Sequence, residues 1–244
     1  MSFDNDNVLR KDNLNYYLIE LSKEYKKIVR NHMPAEIVLV GGAAVIESYG
    51  FRDMTTDVDA IIHASSAMKE AIHRVADKHH LPSDWLNADF VKTSSYSDKL
   101  LLHSSFFKTF NQVLTVRVVS GEYLIAMKLR SHRQYKKDLS DIIGILHEHY
   151  KKGNPITFEQ IDKAVTELYG SWDEFSQDAK DYIIKALSNE QYEKTYQDIR
   201  QAEQDIFEKL KEFEKTHPHV LKNDNLNTVI QNITKQKNRD DYER

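Results

Sequence analysis

The sequence of 244 residues predicts an α/β (α+β) protein in which a strand-containing part precedes a helical part. Three short runs rich in β-branched residues lie before residue 121, helical patterns separate them, and no similar run follows. We therefore expect an α/β domain with an N-terminal helix over residues 1–150. A helical domain that ends in a charged tail is expected over residues 151–244.

The first part is predicted to alternate helices and strands. Apolar residues at helical spacing indicate a helix within residues 8–33, and "EIVLV" (36–40) follows as a strand. "DVDAII" (57–62) is a second strand, and an amphipathic pattern behind a serine indicates a helix over 65–80. The valine-rich "VLTVRVVS" (113–120) alternates as a third strand should.

Only helices are predicted after the third strand. "GEYLIAMKLRSH" (121–132) and "KDLSDIIGILHEHY" (137–150) both have apolar residues at helical spacing. Capping-box patterns at Thr157–Gln160 and Ser171–Glu174 predict two further helix starts. The last residues, 235–244, are polar and largely charged, which is typical of a frayed tail.

Composition excludes several classes of protein. A net charge of -4 provides no global basic field, so any contact with nucleic acid requires a local patch. The absence of cysteine excludes disulfides, thiolate metal sites and a cysteine nucleophile. No stretch approaches the ~20 apolar residues of a membrane span, and the N-terminus has no apolar secretion core. We expect a cytoplasmic protein without a membrane partner.

Two adjacent glycines, Gly41 and Gly42, stand between the first predicted strand and a helical pattern. A helix start exposes free backbone N–H groups, and the lack of side chains lets a phosphate approach them closely. The same pair is also compatible with a tight turn that binds no ligand. On the next strand Asp57 and Asp59 are two residues apart, so their carboxylates share a side.

Two carboxylates on one side of a strand repel each other unless a cation lies between them, and their oxygens suit Mg²⁺ or Mn²⁺. Solvated turn chemistry is the alternative. A phosphate cradle followed by a metal-binding pair is the equipment for phosphoryl or nucleotidyl transfer.

These motifs resemble those of the DNA-polymerase-β nucleotidyltransferase superfamily. "YGFRDMTTDVDAII" (49–62) is similar to AbiEii-type toxins and to uncharacterised bacterial nucleotidyltransferases, in which an aromatic-Gly-x-Arg element and a Thr or Ser precede D-x-D. "EYLIAMKLRSHRQYKKDLSDIIGIL" (122–146) resembles their later motifs. The resemblance covers residues 36 to 150 and implies a small mixed sheet flanked by helices.

The resemblance also implies roles for individual residues. The catalytic residues would be Asp57, Asp59 and Asp138, of which Asp57 and Asp59 would hold the metal. The nucleotide-binding residues would be Gly41, Gly42, Arg52, Thr56 and Lys128.

Each of these roles has a simpler structural alternative. Lys128 could extend along its helix into solvent, and Asp138 could merely cap the next helix. Asp141 could be a solvated partner of Lys137, and Arg52 could face water.

The third strand departs from the polymerase-like pattern. Polymerase-like members carry a third carboxylate on a later strand, where it acts as base towards the acceptor hydroxyl. Here that strand offers Thr115, Arg117 and Ser120 and no acid. Either Asp138 takes that place or catalysis is impaired.

The resemblance implies a Mg²⁺-dependent enzyme that transfers NMP from an NTP, such as ATP, to an RNA (tRNA in particular) or a protein. It implies a toxin of a bacterial toxin–antitoxin or phage-defence system, with a cognate antitoxin as partner. A non-catalytic nucleotide- or partner-binding module is the alternative, as is an enzyme that modifies a small molecule such as an antibiotic. The motifs fix neither the NTP, nor the acceptor, nor the oligomeric state.

Overall fold

The structure of the protein, a computed structural model, describes residues 8–30, 33–131, 133, 137–189, 191–221, 225, 226, 228–230 and 232. Five strands are present in this part of the chain: β1 Ala35–Leu39, β2 Val58–His63, β3 Leu86–Asn87, β4 Ser104–Phe110 and β5 Leu114–Val119. The α-helices are α1 Lys11–Val29, α2 Gly41–Ser48, α3 Ala67–His79, α4 Gly121–Ser131, α5 Asp138–Lys151, α6 Phe158–Tyr169, α7 Gln177–Ser188 and α8 Tyr192–Thr216. Short 3-10 helices cover Asp89–Lys92 and Asp98–Leu101.

The strands form one mixed sheet in the order β3-β2-β1-β5-β4. The central strand β1 runs antiparallel to β2 and parallel to β5, and β4 and β5 form an antiparallel pair. This confirms the predicted fold class, a small mixed sheet flanked by helices and followed by further helices. The parallel pairing brings the carboxyl ends of β1 and β5 to the same edge of the sheet, where α2 and α4 begin.

The sequence predicted the three central strands and missed the two outer ones. β4 is an edge strand whose Ser105, Phe106, Lys108 and Thr109 are exposed, so it lacks the hydrophobic alternation of a half-buried strand. β3 has only two residues. β3 is held by pairing with β2 across α3, and β4 is held by its hairpin with β5, so the hydrophobic period of their own residues indicates neither strand.

One of the two predicted capping boxes is confirmed and the other is wrong. Thr157 and Gln160 bond each other's backbone N–H groups reciprocally at the start of α6. The pattern at Ser171–Glu174 lies in a turn instead, and α7 begins at Gln177 with Ser176 as its cap. The Ser176 hydroxyl accepts the N–H of Ala179 at 3.2 Å, so the actual cap lies five residues beyond the predicted one.

A continuous hydrophobic core extends from Leu9 to Tyr192. Helix α6 packs against α4, and α8 packs against α5. The helices beyond residue 151 therefore lie directly on the two helices that carry Lys128 and Asp138. The domain division at residue 150 stays a prediction. In the described part of the chain, no helix combines the length and apolar character needed to cross a membrane.

A close contact between α5 and the loop before β2 provides a test of this packing. Gly144 of α5 faces the ring of Phe51, and an added Cβ would lie 2.6 Å from Cζ of that ring. We expect Gly144→Ala to lower the free energy of unfolding by about 1–3 kcal/mol, because the core is overpacked. Urea denaturation measures this, and the sign is diagnostic, since helix propensity alone favours alanine by about 1 kcal/mol.

Gly50→Ala is the matched control. No atom lies within 4 Å of the position that its Cβ would take, so its stability should change by less than about 0.5 kcal/mol. An equal or stabilising effect of Gly144→Ala would show that Phe51 does not pack tightly against α5.

Candidate active site

The Gly41-Gly42 pair forms the turn from β1 into α2. Gly41 has a φ of +55°, a left-handed conformation that glycine adopts without strain. An added Cβ at Gly41 would lie 3.1 Å from Oδ2 of Asp59, so the backbone and this carboxylate are in close approach. The N–H of Val40 donates to the carbonyl of Asp59 at 3.0 Å and fixes the turn against β2. Asp59 therefore lies directly beside the start of α2.

Asp57 and Asp59 flank the first residue of β2. Val58 and Ala60 are fully buried, whereas the two aspartates are half-buried. Successive strand residues project to opposite faces, so the Asp59 side chain lies on the face opposite to Val58 and Ala60, and Asp57 directly precedes the strand. Thr56 is exposed, and its hydroxyl donates to Oδ1 of Asp57 at 3.4 Å.

Arg52 lies across the start of α2. Its Nη2 is 2.5 Å from the position that a Cβ of Gly42 would take, so any side chain at residue 42 would displace the guanidinium. Its Nη1 donates to Oδ2 of Asp141, and its Nε donates to the carbonyl of Met54 at 3.1 Å. Arg52 thus connects the glycine turn with α5.

Lys128 of α4 is buried between two carboxylates of α5. Its Nζ lies 2.7 Å from Oδ2 of Asp141 and 3.2 Å from Oδ1 of Asp138. Only 7% of its side chain is exposed, so the lysine does not extend into solvent. In this arrangement Lys128 reaches the glycine turn indirectly, through Asp141 and Arg52.

Asp138 is a buried, ionised carboxylate. Besides Lys128, it accepts hydrogen bonds from Nε of Arg133 at 2.8 Å and from the hydroxyl of Ser131 at 2.9 Å. Burial alone would raise the pKa of Asp138, but the charges of Lys128 and Arg133 and these hydrogen bonds hold it well below its ordinary value. Its stabilising contribution is therefore present above the ordinary pKa of an aspartate and lost only as the pH falls through the lowered pKa.

Asp141 is the residue that the sequence interpretation missed. Its sequence position is compatible with a solvated partner of Lys137, yet Asp141 is 2% exposed and is shared by Arg52 and Lys128. The signal was available in part, because Asp138 and Asp141 are three residues apart and so share one face of α5. That Arg52, 89 residues away, completes the contact could not be read from the sequence.

Six of the eight predicted site residues are joined in a continuous series of contacts, and Thr56 and Asp57 lie outside it. It runs in the order Asp59, Gly41, Gly42, Arg52, Asp141, Lys128, Asp138 and Arg133. Asp138 is connected to Asp59 through two cations and Asp141. Among the described residues, no group of three or more acidic or histidine side chains is arranged to hold a metal ion. The catalytic role of Asp138 stays a prediction.

Strand β5 places an arginine on the face of the sheet that carries Asp59. Val38 pairs with both Ile61 and Arg117, and Ile61 lies two residues after Asp59 on the same strand. The guanidinium of Arg117 donates to the hydroxyl of Ser104 at 2.8 Å. On this face β5 therefore provides a cation.

The mixed sheet, the glycine turn and the adjacent aspartates define a nucleotidyltransferase-type protein. Over residues 16–197 the chain matches the family described as "Nucleotidyltransferase of unknown function (DUF6036)". Because this match covers more than half of the chain, the protein belongs to that family. No curated protein and no solved structure matches the chain.

The buried ion pairs of Lys128 can be tested by stability measurements. We expect Lys128→Met, which keeps the length of the side chain, to lower the free energy of unfolding by about 3 kcal/mol. The reason is that Asp138 and Asp141 stay buried, and each loses one of its two cations. Urea denaturation at neutral pH measures the change.

Lys163→Met serves as the control for removing a lysine charge. Lys163 is 71% exposed on its side chain and lies 3.8 Å from Glu167, so its loss should cost no more than about 1 kcal/mol. Similar losses for the two variants would mean that Lys128 does not hold the two carboxylates in place.

Proposed function

We propose that the protein is a Mg²⁺- or Mn²⁺-dependent nucleotidyltransferase that transfers NMP from an NTP to an acceptor. The observation that carries the proposal is the contact between Asp59 and the left-handed Gly41 at the start of α2. A carboxylate at this position lies where a phosphate on the free N–H groups of the helix would share a cation with it.

The residues at this place fit a divalent metal. Asp57 and Asp59 supply hard carboxylate oxygens, and Mg²⁺ is usually held by one or two carboxylates together with substrate phosphates and water. That the described residues contain no three-ligand cluster agrees with such a site and disagrees with an all-protein cage. A bound metal would polarise the phosphoryl oxygens and neutralise their charge.

The surrounding charges favour an anionic ligand. Asp138 and Asp141 are each contacted by two cations, so the ion pairs of α5 carry an excess of positive charge. Burial, together with the charges of Arg52 and Arg200, lowers the pKa of Lys137 to about 8. The charged form of a lysine that lies among other cations is strongly stabilised by a bound anion. We assign the triphosphate to Gly41 and Gly42.

Arg52 is the cation best placed to contact that triphosphate, because it already covers Gly42. Lys128 would act by holding Asp141, which in turn orients Arg52. Thr56 would support Asp57 through its hydroxyl.

The acceptor is proposed from the resemblance to AbiEii-type proteins. It would be an RNA, tRNA in particular, or a protein, and the chain would be the toxin of a toxin–antitoxin or phage-defence pair. A small-molecule acceptor such as an antibiotic is the alternative within the enzyme class.

A non-catalytic nucleotide- or partner-binding module is the second candidate. It is favoured by Arg117, because a base for the acceptor hydroxyl is needed where β5 provides a guanidinium. Asp138 would have to supply that base. Its carboxylate is ionised as a base must be, yet it is bound by Lys128 and Arg133.

Transfer of label distinguishes these candidates. Incubation with each α-labelled NTP, Mg²⁺ and total bacterial RNA, total protein or a panel of antibiotics should label one of these acceptors. The double variant Asp57→Asn, Asp59→Asn should lower the rate by about 10³-fold, because a metal ion supplies several kcal/mol of charge stabilisation. The variant should remain folded, because both aspartates are half-buried and asparagine has nearly the same shape as aspartate.

Asp89→Asn is the control, because the side chain of this aspartate is 69% exposed and forms a surface ion pair with Lys92. Its rate should match that of the unmodified protein. NTP binding without any labelled product would support the binding module, and equal rates for the double variant and the control would contradict the proposed metal site.

A further inference from the structure

Glu203 of α8 caps the start of α5 from a distance of 63 residues in sequence. Its Oε1 accepts the backbone N–H groups of Leu139 and Ser140, both at 3.1 Å, and its Oε2 accepts the hydroxyl of Ser140 at 2.5 Å. The side chain is buried, with 5% of the residue exposed.

This cap replaces one that α5 lacks. The N-cap residue of α5 is Lys137, which makes no side-chain cap hydrogen bond because an ammonium has no acceptor. Free N–H groups at a buried helix start are costly unless an acceptor reaches them. Glu203 satisfies two of them, and its negative charge also suits the positive end of the helix dipole.

A tyrosine of α7 and a tyrosine of α8 hold the backbone beside Asp138 and beside Arg52. The hydroxyl of Tyr196 in α8 donates to the carbonyl of Phe51 at 3.0 Å, directly before Arg52. The hydroxyl of Tyr182 in α7 donates to the carbonyl of Leu139 at 2.8 Å, directly after Asp138. Helices α7 and α8 therefore fix both segments that meet in the Arg52–Asp141 ion pair.

The charged and titratable groups that act on Glu203 come from several elements. Burial and the charge of Asp141 raise the pKa of Glu203, hydrogen bonds from Ser140 and the charge of Arg200 lower it, and the net result is a pKa of about 7. Lys137 and Tyr182 also interact with its charge. Because the folded pKa lies above the ordinary value, ionisation of Glu203 costs stability, which should fall as the pH rises from about 4.5 to 7.

We infer that Glu203 is a positioning residue for the nucleotide site. By capping α5 it fixes Asp141, Asp141 fixes Arg52, and Arg52 lies over Gly42 at the start of α2. The inference rests on the proposed function, because it assigns the nucleotide to that turn. The matched family segment ends at residue 197. Glu203 thus lies beyond this segment and orients residues of a site within it.

The test compares three changes in the full chain. Glu203→Ala removes the cap, Glu203→Gln keeps an acceptor and removes the charge, and Tyr196→Phe removes only the hydroxyl that holds Phe51. Glu208→Ala is the control, because Glu208 is exposed on the same helix. Binding is measured with Mg²⁺ and each NTP, and order at the start of α5 is measured by amide hydrogen exchange of Leu139 and Ser140.

Glu203→Ala should weaken NTP binding about tenfold and speed exchange of the two amides by a similar factor, as loss of a cap does. Glu203→Gln should stay within about threefold of the unmodified protein in both measurements, and its stability should lose the decline between about pH 4.5 and 7. Tyr196→Phe, the milder change, should weaken binding about threefold without faster exchange of these amides.

Unchanged NTP binding in Glu203→Ala would overturn the positioning role of Glu203 while leaving the proposed function intact. Unchanged amide exchange in Glu203→Ala would overturn the cap itself. If the unmodified protein binds no NTP, the proposed function fails and the positioning role fails with it, whatever the exchange rates show.

Discussion

The arrangement of the candidate site depends on one carboxylate that two cations share. Asp141 lies at 2% exposure between Arg52, from the loop before β2, and Lys128, from α4. A buried carboxylate is tolerated only when its charge is compensated, so each of these three elements constrains the other two. The glycine turn is included because Arg52 rests on Gly42. An alteration in the core beneath α5 would therefore reach the start of α2 through fixed contacts.

The sequence was informative where structure is determined locally. The three central strands and most helices follow from periodicity, and the glycine turn and aspartate pair lie within one short stretch. The edge strand β4 was missed because its exposed residues show no hydrophobic alternation. Ser171 was predicted to cap a helix, whereas the cap of α7 is Ser176. The contact of Asp141 with Arg52 and the cap that Glu203 provides could not be read from the sequence, because the partners lie 89 and 63 residues apart.

Strand β5 carries Arg117 on the face of the sheet that carries Asp59, and this residue bears on the choice between an enzyme and a binding module. An arginine at residue 117 would attract a phosphate and could help to hold a nucleotide or a nucleic-acid backbone. It cannot remove a proton from an acceptor hydroxyl, because a guanidinium keeps its charge at any ordinary pH. The same residue thus strengthens binding and weakens the case for chemistry of the polymerase type.

The residue that caps α5 lies outside the segment of the chain that matches the family. The family segment ends at residue 197, within α8, and Glu203 lies on the next turns of the same helix. A relative that shares only the matched segment must satisfy the N–H groups of residues 139 and 140 by another acceptor, or begin that helix differently. A shortened chain that ends where the similarity ends would keep every predicted site residue, yet lose the acid that caps α5, the helix that carries Asp138 and Asp141.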